Sequence, residues 1–161
     1  MTAFAQGYNG NSMYFEDLAI GRKGRSPART VTEHDIGVFA GLTGDHAALH
    51  TDAVYAADTE FGGRIAHGML TLALTHGLMV RAGYNVESGL ALLGWDNVSF
   101  RAPVRIGDTV TASWETIDLR ESGSRPNAGI VRDRVTLTNQ DGIIVLIGEV
   151  SELVRKRAEA G

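Results

Sequence analysis

The sequence predicts an α+β fold in which one long apolar helix packs against an antiparallel sheet. Three patterns indicate it: apolar residues at helical spacing over 68–82, alternating apolar and polar residues over 109–115, and a strong turn at 139–142 between two strand-like stretches. The chain has 161 residues, 43% of them hydrophobic, which is enough for a single domain with a substantial core. We expect residues 14–154 to form this domain, with a loose arm over 1–13 and a charged tail over 155–161.

Composition excludes several classes of function. The net charge is −4 and no basic stripe is visible, so we expect no nucleic-acid partner. The chain contains no cysteine, which excludes disulfides, thiolate zinc sites and a cysteine nucleophile. Residues 1–12 lack a basic leader and an apolar signal core, and the most apolar run, 143–147, is too short to span a bilayer. We therefore expect a cytoplasmic protein without a membrane partner.

The first part of the chain predicts one strand and a short helix. The strand covers residues 25–31. Thr32 has the side chain of an N-cap, and Asp35 lies in the first turn, where the helix dipole favours an anion. Apolar residues then follow at helical spacing, which predicts a helix over 33–42.

The next part predicts a loop, a second short helix and a long one. The loop covers 43–51, and Asp52 is placed to cap the short helix that runs through Asp58. Apolar residues over 68–82 spread around more than one helical face, which is typical of a buried helix. Gly83 is positioned to end it.

The remainder of the chain predicts four antiparallel strands. Residues 139–142, Asn-Gln-Asp-Gly, form a hairpin turn between the last two. A single helix wrapped by one curved antiparallel sheet is the hot-dog arrangement. The predicted strands cover 90–101, 109–115, 129–138 and 143–154.

Three residues carry the chemistry that the sequence predicts. Asp45 and His50 share the segment Gly-Asp-His-Ala-Ala-Leu-His, and Gly68 lies at the start of the long helix. A carboxylate and an imidazole can transfer protons, and a glycine N–H at a helix start can hold an oxyanion. That combination suits the addition of water to a thioester-activated alkene. The structural alternatives are a turn aspartate, a histidine with a packing role and a glycine that permits tight packing.

Three ordered blocks of the sequence match a known family. Its loop pattern is G-D-x-N-P-L-H, its second block F-x-x-P-I-x-H-G-M-L and its third F-x-x-P-V-x-x-G-D-x-V. The matching residues are Gly44, Asp45, Leu49 and His50, then Phe61, Ile65, His67, Gly68, Met69 and Leu70, then Phe100, Pro103, Val104, Gly107, Asp108 and Val110. In these blocks the chain resembles the MaoC-like dehydratase family, which includes (R)-specific enoyl-CoA hydratases.

The resemblance implies a function and an assembly. Asp45 and His50 would hold one water between them and share two proton transfers, with either group as the base. A CoA or carrier-protein thioester is then the substrate, and no cofactor is needed. It also implies a homodimer or a higher homo-oligomer with the acyl site near the interface, which fits a strand over 90–101 that is too apolar to be left in water.

The other histidines have lesser expected roles. His67 is expected to support the start of the long helix, and His46 to face solvent. His34 and His76 have no carboxylate partner that the sequence reveals. His46 and His50 have H-x-x-x-H spacing, but they lie on a predicted loop without a neighbouring glutamate or cysteine, so we expect no metal site.

Candidates for the acyl pocket are Ala47, Leu72, Trp95 and Phe100, and ordinary core packing is the alternative for each of the last three. Ala47 and Ala48 stand where the family has Asn and Pro. Alanine at 47 either removes an orienting hydrogen bond or makes room for a bulkier acyl group. Arginines that are candidates to meet the phosphates of a CoA or pantetheine carrier are Arg64, Arg101 and Arg105.

Two other functions remain open at this point. The hot-dog fold also supports thioesterases, although these do not carry both the G-D-x-x-x-L-H and A-H-G-M patterns. A non-catalytic acyl-binding subunit of a hydratase heterodimer is the third possibility, and only the alanine at 47 favours it. The leading prediction is a hydro-lyase that acts on a 2-enoyl-CoA or a 3-hydroxyacyl-CoA.

Overall fold

In the computed structural model, which describes residues 13–158, a curved antiparallel sheet wraps around one long helix. The strand order is β1-β4-β5-β6-β3, with the short β2 also paired to β4. This confirms the predicted α+β class and hot-dog arrangement. The helices are α1 Glu33–Thr43, α2 Ala48–Thr51, α3 Ala53–Ala57 and α4 Gly68–Arg81, and the strands are β1 Lys23–Arg25, β2 Arg29–Thr30, β3 Gly89–Phe100, β4 Thr109–Glu121, β5 Ala128–Thr138 and β6 Ile144–Arg155.

The main core lies between α4 and the inner face of the sheet. Leu78 and Met79 of α4 are buried there, and Val135 and Val150 are fully buried on the central strands. Burying each such aliphatic side chain contributes roughly 1.5–3 kcal/mol. This core fixes the position of α4, and with it the position of the site at the start of the helix.

The prediction that α4 is buried on nearly all sides is wrong for the single chain. Met69, Ala73, Gly77 and Val80 form an exposed stripe at helical spacing along α4. Met69 is 61% exposed although it is apolar. The reason is geometric, because one sheet covers only one side of a helix.

Capping residues set the starts of two helices as predicted. The Thr32 hydroxyl accepts from the Asp35 N–H at 3.3 Å, and the Asp35 carboxylate accepts from the Thr32 N–H at 2.8 Å. The Asp52 carboxylate accepts from the N–H groups of Val54 and Tyr55 at 2.9 and 3.0 Å. These local bonds fix α1 and α3 on either side of residues 44–51, which include Asp45 and His50.

Three predictions in the same region differ from the structure. The strand over 25–31 is divided into β1 and β2, because Pro27 between them has no N–H to donate to a ladder. The loop over 43–51 contains the short helix α2, so His50 lies on a helical turn. Helix α1 also runs one residue further than predicted, to Thr43.

The predicted turns are confirmed. Gly83 follows α4 with a φ of 88°, the left-handed conformation that ends many helices. In the hairpin, the Gly142 N–H donates to the Asn139 carbonyl at 3.1 Å, and Gly142 has a φ of 76°. The strands that flank this turn differ from their predicted bounds by one residue at most.

Both ends of the domain contact each other. Residues 1–12 of the predicted arm and 159–161 of the predicted tail lie outside the described residues. Met13 packs near Leu18, and the Arg157 guanidinium donates to the Asp17 carboxylate at 2.6 and 2.8 Å.

None of the helices within 13–158 has the length and apolarity to cross a membrane. The cytoplasmic location stays a prediction.

Candidate active site

The two predicted catalytic residues lie close together in the chain, Asp45 between α1 and α2 and His50 on α2. Gly44 ends α1 with a φ of 77°, a left-handed conformation that suits glycine, and Asp45 follows it. His50 lies on α2, where its Nδ1 is 2.8 Å from the carbonyl oxygen of Ile65. A carbonyl only accepts, so Nδ1 is the protonated nitrogen. In the neutral ring, Nε2 then carries the lone pair that can accept a proton.

His67 connects this segment to the start of α4. Its ring is 2% exposed, and its Nε2 donates to the backbone carbonyl of Asp45 at 2.9 Å. The same ring stacks on His50, with centroids 3.8 Å apart and planes inclined by 32°. These contacts are the ones that a supporting role for His67 requires.

Asp45, His50 and His67 come together in space. One oxygen of Asp45 and one nitrogen of each imidazole lie within 4.8 Å of one another. The Asp45 carboxylate also accepts from the Ala47 N–H at 3.3 Å, which is the turn bond that the structural alternative predicted. That bond leaves the second carboxylate oxygen for a water shared with His50.

The same three residues are the types that bind a transition metal. Zn²⁺ lies about 2.0–2.2 Å from nitrogen and oxygen ligands, which puts tetrahedral ligands roughly 3.3–3.6 Å apart. The possible ligand atoms of Asp45, His50 and His67 lie within 4.8 Å of one another. This limit permits separations larger than those between tetrahedral zinc ligands. The predicted absence of a metal stays a prediction.

A cavity of about 360 Å³ connects His50 with the start of α4. Phe100, from the end of β3, lies over Gly68, so that a Cβ built on Gly68 would be 3.1 Å from the Phe100 ring. The close approach explains why glycine occupies this position. Apolar residues that line the cavity include Phe61, Ile65, Ala66, Phe100, Pro103 and Val104.

Gly68 is also suited to bind an anion. It is the first residue of α4, and the residue before it, His67, makes no side-chain cap. The first N–H groups of a helix lack intrahelical acceptors and lie at the positive end of its dipole. At the cavity wall that Gly68 forms, they are available to a carbonyl oxygen that gains negative charge.

Comparison with known proteins identifies the family. The MaoC like domain matches residues 16–139. This chain belongs to the MaoC-like family. It is 38% identical over 144 residues to the (R)-specific enoyl-CoA hydratase of Rhodospirillum rubrum, a match that covers 89% of this chain and 93% of that protein.

Two further relatives support the same assignment. The solved structure of a MaoC-like dehydratase from Rhodospirillum rubrum has a TM-score of 0.82 at 31% identity, and the match covers 91% of this chain and 99% of that one. Protein MaoC of Klebsiella aerogenes is 42% identical over 97 residues, which are 60% of this chain and 28% of that longer protein. The MaoC-like chain therefore spans under a third of that longer relative, but nearly the whole of the hydratase.

Three of the four acyl-pocket candidates of this MaoC-like domain lie outside the cavity wall, as far as the described residues show. Leu72 and Trp95 are half-buried and pack against the main core. Ala47 is exposed and occupies the N-cap position of α2, where it makes no side-chain bond. Phe100 does line the cavity. Sequence reasoning missed several lining residues, including Phe61 and Val104, although both belong to the matched blocks.

The prediction that His76 has no carboxylate partner is wrong. His76 on α4 faces Glu152 on β6, with Nε2 and Oε1 3.7 Å apart. Burial lowers the pKa of His76 and raises the pKa of Glu152 to about 7. Asn85 donates to the other Glu152 oxygen at 3.1 Å. The sequence contains no signal for this pair, because it forms only when the sheet closes on α4.

His34 and His46 are exposed, the latter as expected.

A second buried carboxylate lies on the same sheet. Asp133 is fully buried and accepts hydrogen bonds from the hydroxyl groups of Tyr84 at 2.5 Å and Thr116 at 2.6 Å. Burial raises the pKa of Asp133, and the two donors oppose that shift. This carboxylate joins β5 to β4 and to the segment after α4, and it is not part of the candidate site.

Proposed function

We propose that this MaoC-like domain is a hydro-lyase that adds water to a 2-enoyl thioester or removes it from a 3-hydroxyacyl thioester. The observation that carries the proposal is that His50 and Gly68 line one largely apolar cavity. Asp45 lies beside His50, with an oxygen and a ring nitrogen of the two side chains within 4.8 Å of each other. Two relatives support the proposal: one at 38% identity is named an (R)-specific enoyl-CoA hydratase, and one at 34% identity is named a 3-hydroxybutyryl-CoA dehydratase.

The proposed reaction uses each of the three residues. A water held between Asp45 and His50 loses a proton to the pair as its oxygen attacks C3 of the enoyl group. The electrons move to the thioester carbonyl, and the enolate oxygen is stabilised by the free N–H groups at Gly68. A proton then passes from the pair to C2, which restores the carbonyl and completes the addition.

The cavity supports an acyl thioester as the substrate. Its apolar wall suits a hydrocarbon chain, and its opening suits the thin pantetheine arm that CoA and carrier proteins share. Phe100 borders both the cavity and the oxyanion position. We infer that the acyl chain passes beside this ring.

A second copy of the chain is the proposed partner. Leu92 and Leu93 on the edge strand β3 are 51 and 50% exposed, and the apolar stripe of α4 is also uncovered. An uncovered strand edge and a nearby apolar face favour self-association. A homodimer would bury both, and Phe100 at the end of β3 would place the cavity close to the interface.

One assay separates the hydro-lyase from a thioesterase and from a non-catalytic binder. The enzyme is mixed with crotonyl-CoA, and the absorbance of the enoyl thioester is followed beside a thiol reagent. Loss of the absorbance without free thiol supports the hydro-lyase, while release of thiol shows a thioesterase. No change with crotonyl-CoA or longer and branched enoyl-CoAs rejects the proposal. The same assay on Asp45→Asn shows whether the activity depends on the proposed site.

A further inference from the structure

Three arginines lie close to the candidate cavity, and they differ in their contacts. The Arg64 guanidinium pairs with Glu33, and the Arg105 guanidinium donates to the Phe61 carbonyl. Arg101 lines the cavity itself together with His50. Its guanidinium has no hydrogen-bond or ion-pair partner within residues 13–158, so it is the one left to bind a ligand.

The backbone of Arg101 is held in place. Its N–H donates to the carbonyl of Val145 at 2.9 Å, and the next two residues, Ala102 and Pro103, also line the cavity. Proline restricts its own backbone and that of the preceding residue. The exposed side chain therefore extends from a fixed point on the cavity wall.

We propose that Arg101 binds an oxyanion of the substrate that is separate from the reacting thioester oxygen. The inference rests on the proposed function and names a feature of its substrate. A guanidinium presents a planar set of donors that matches carboxylate and phosphate oxygens. Two sources supply such an anion: the phosphate at the end of the pantetheine arm, or a second carboxylate on the acyl group.

Matched substrates distinguish the two sources. Crotonyl-CoA carries phosphates, crotonyl-pantetheine carries no anion, and the pantetheine thioester of fumaric acid carries only a carboxylate. Steady-state kinetics are compared for the wild type, Arg101→Gln and Arg101→Lys. Arg120→Gln is the control, because Arg120 is exposed on β4 and does not line this cavity.

If the anion is a phosphate, Arg101→Gln raises the KM for crotonyl-CoA by about tenfold and leaves the KM for crotonyl-pantetheine unchanged. A tenfold change is the effect of one charge-assisted hydrogen bond. If the anion is a carboxylate, only the KM for the fumaryl thioester rises. In both cases Arg101→Lys recovers part of the loss, and kcat changes little. Equal effects on all three thioesters, or no effect on either anionic one, overturn the proposal.

A binding measurement separates this inference from the proposed reaction. If the wild type turns over none of the thioesters, the hydro-lyase proposal fails, but calorimetric titration with crotonyl-CoA and with the fumaryl thioester still tests Arg101. If Arg101→Gln binds crotonyl-CoA or the fumaryl thioester more weakly than the wild type does, the contact between Arg101 and the anion of that ligand is supported. Equal affinities of the wild type and the variant for both ligands reject it.

Discussion

The imidazole rings of His50 and His67 stack with their centroids 3.8 Å apart, and this contact joins α2 to the start of α4. His67 also holds the carbonyl of Asp45 at 2.9 Å. One buried ring thus touches both members of the proposed catalytic pair. Its position explains how two residues on an exposed segment keep a defined geometry relative to Gly68.

Replacement of His67 tests this positioning role. His67→Ala removes the ring contact and the bond to Asp45, so we expect kcat to fall about 10- to 100-fold, since a misplaced catalytic group can cost that much. KM should change less, because His67 does not line the cavity. His46→Ala, at an exposed neighbour, is the control. A His67→Ala enzyme that melts at a lower temperature but keeps its kcat would contradict the positioning role.

Asp45 and His50 should behave as one catalytic unit. Asp45→Asn and His50→Ala are each expected to lower the hydration rate by roughly 10²–10⁴, the usual contribution of a placed acid or base. The double variant should be little worse than the poorer single variant, because members of one unit are not additive. The measurement is kcat/KM on crotonyl-CoA. Fully additive losses, or an active Asp45→Asn enzyme, would mean that the pair does not share one water.

Ala47 and Ala48 weaken the start of α2. Ala47 occupies the N-cap position without a side-chain bond, and Ala48 is the first helical residue. Asparagine is a strong N-cap worth about 0.5–2 kcal/mol over alanine, and proline at the first position adds roughly 0.4–1 kcal/mol. The ψ of 136° at Ala47 is compatible with a following proline. We therefore expect Ala47→Asn with Ala48→Pro to raise the free energy of unfolding in urea.

The control for this pair is Ala57→Asn, at the exposed C-terminal end of α3. It introduces the same side chain where no N-cap exists, so the stability should not rise. The rates of the double variant on crotonyl-CoA and on branched enoyl-CoAs also test the two explanations of Ala47. A higher crotonyl-CoA rate fits a restored orienting hydrogen bond, and a loss confined to branched enoyl-CoAs fits alanine making room for the acyl group. Unchanged rates on all of them would mean that position 47 does not affect the chemistry.

Glu152 should make the stability of the protein depend on pH. Its folded pKa of about 7 lies above the ordinary value of 4.5, because burial disfavours the charged carboxylate. The folded state therefore holds this proton more tightly than the unfolded state does. Its contribution to stability is complete below pH 4.5 and is lost as the pH rises through about 7.

Glu152→Gln keeps an acceptor for Asn85 and cannot ionise. Relative to the wild type, it should raise the free energy of unfolding by up to roughly 3 kcal/mol at pH 8 and have little effect near pH 5. Glu60→Gln, at an exposed carboxylate, should have no such pH-dependent effect. A Glu152→Gln protein that is less stable than the wild type at pH 8 would show that the ionised carboxylate is favourably paired in the folded state.

The exposed apolar edge predicts a dimer. Light scattering of the native chain should give twice the monomer mass of 17.2 kDa. Leu92→Glu places a charge on the edge of β3 and should shift the mass toward the monomer, with loss of activity if the site needs the interface. Ile20→Glu is the control, because Ile20 is also exposed, at 68%, but lies outside α4 and β3. A monomer that remains fully active at micromolar concentration would contradict the proposed assembly.

Local sequence determined the features that depend on a few neighbouring residues. The caps at Thr32 and Asp52, the stop at Gly83 and the turn at Gly142 all occur where the sequence predicts them. Each depends on a side chain or glycine that satisfies a backbone group within a few positions. The spacing of the motif predicted Asp45, His50 and Gly68 as site residues, although it could not show which of their atoms meet.

Tertiary structure decided the features that join distant parts of the chain. Phe100 approaches Gly68 and His76 faces Glu152 only because the sheet closes on α4. His67 holds the carbonyl of Asp45 because the segment after α1 lies against the start of α4. The same closure leaves one stripe of α4 uncovered, although its sequence is apolar on more than one face. A residue pattern specifies which side of a helix or strand prefers burial. The register of the sheet determines which distant residue each buried side chain contacts, and the area of the sheet determines how much of the helix it covers.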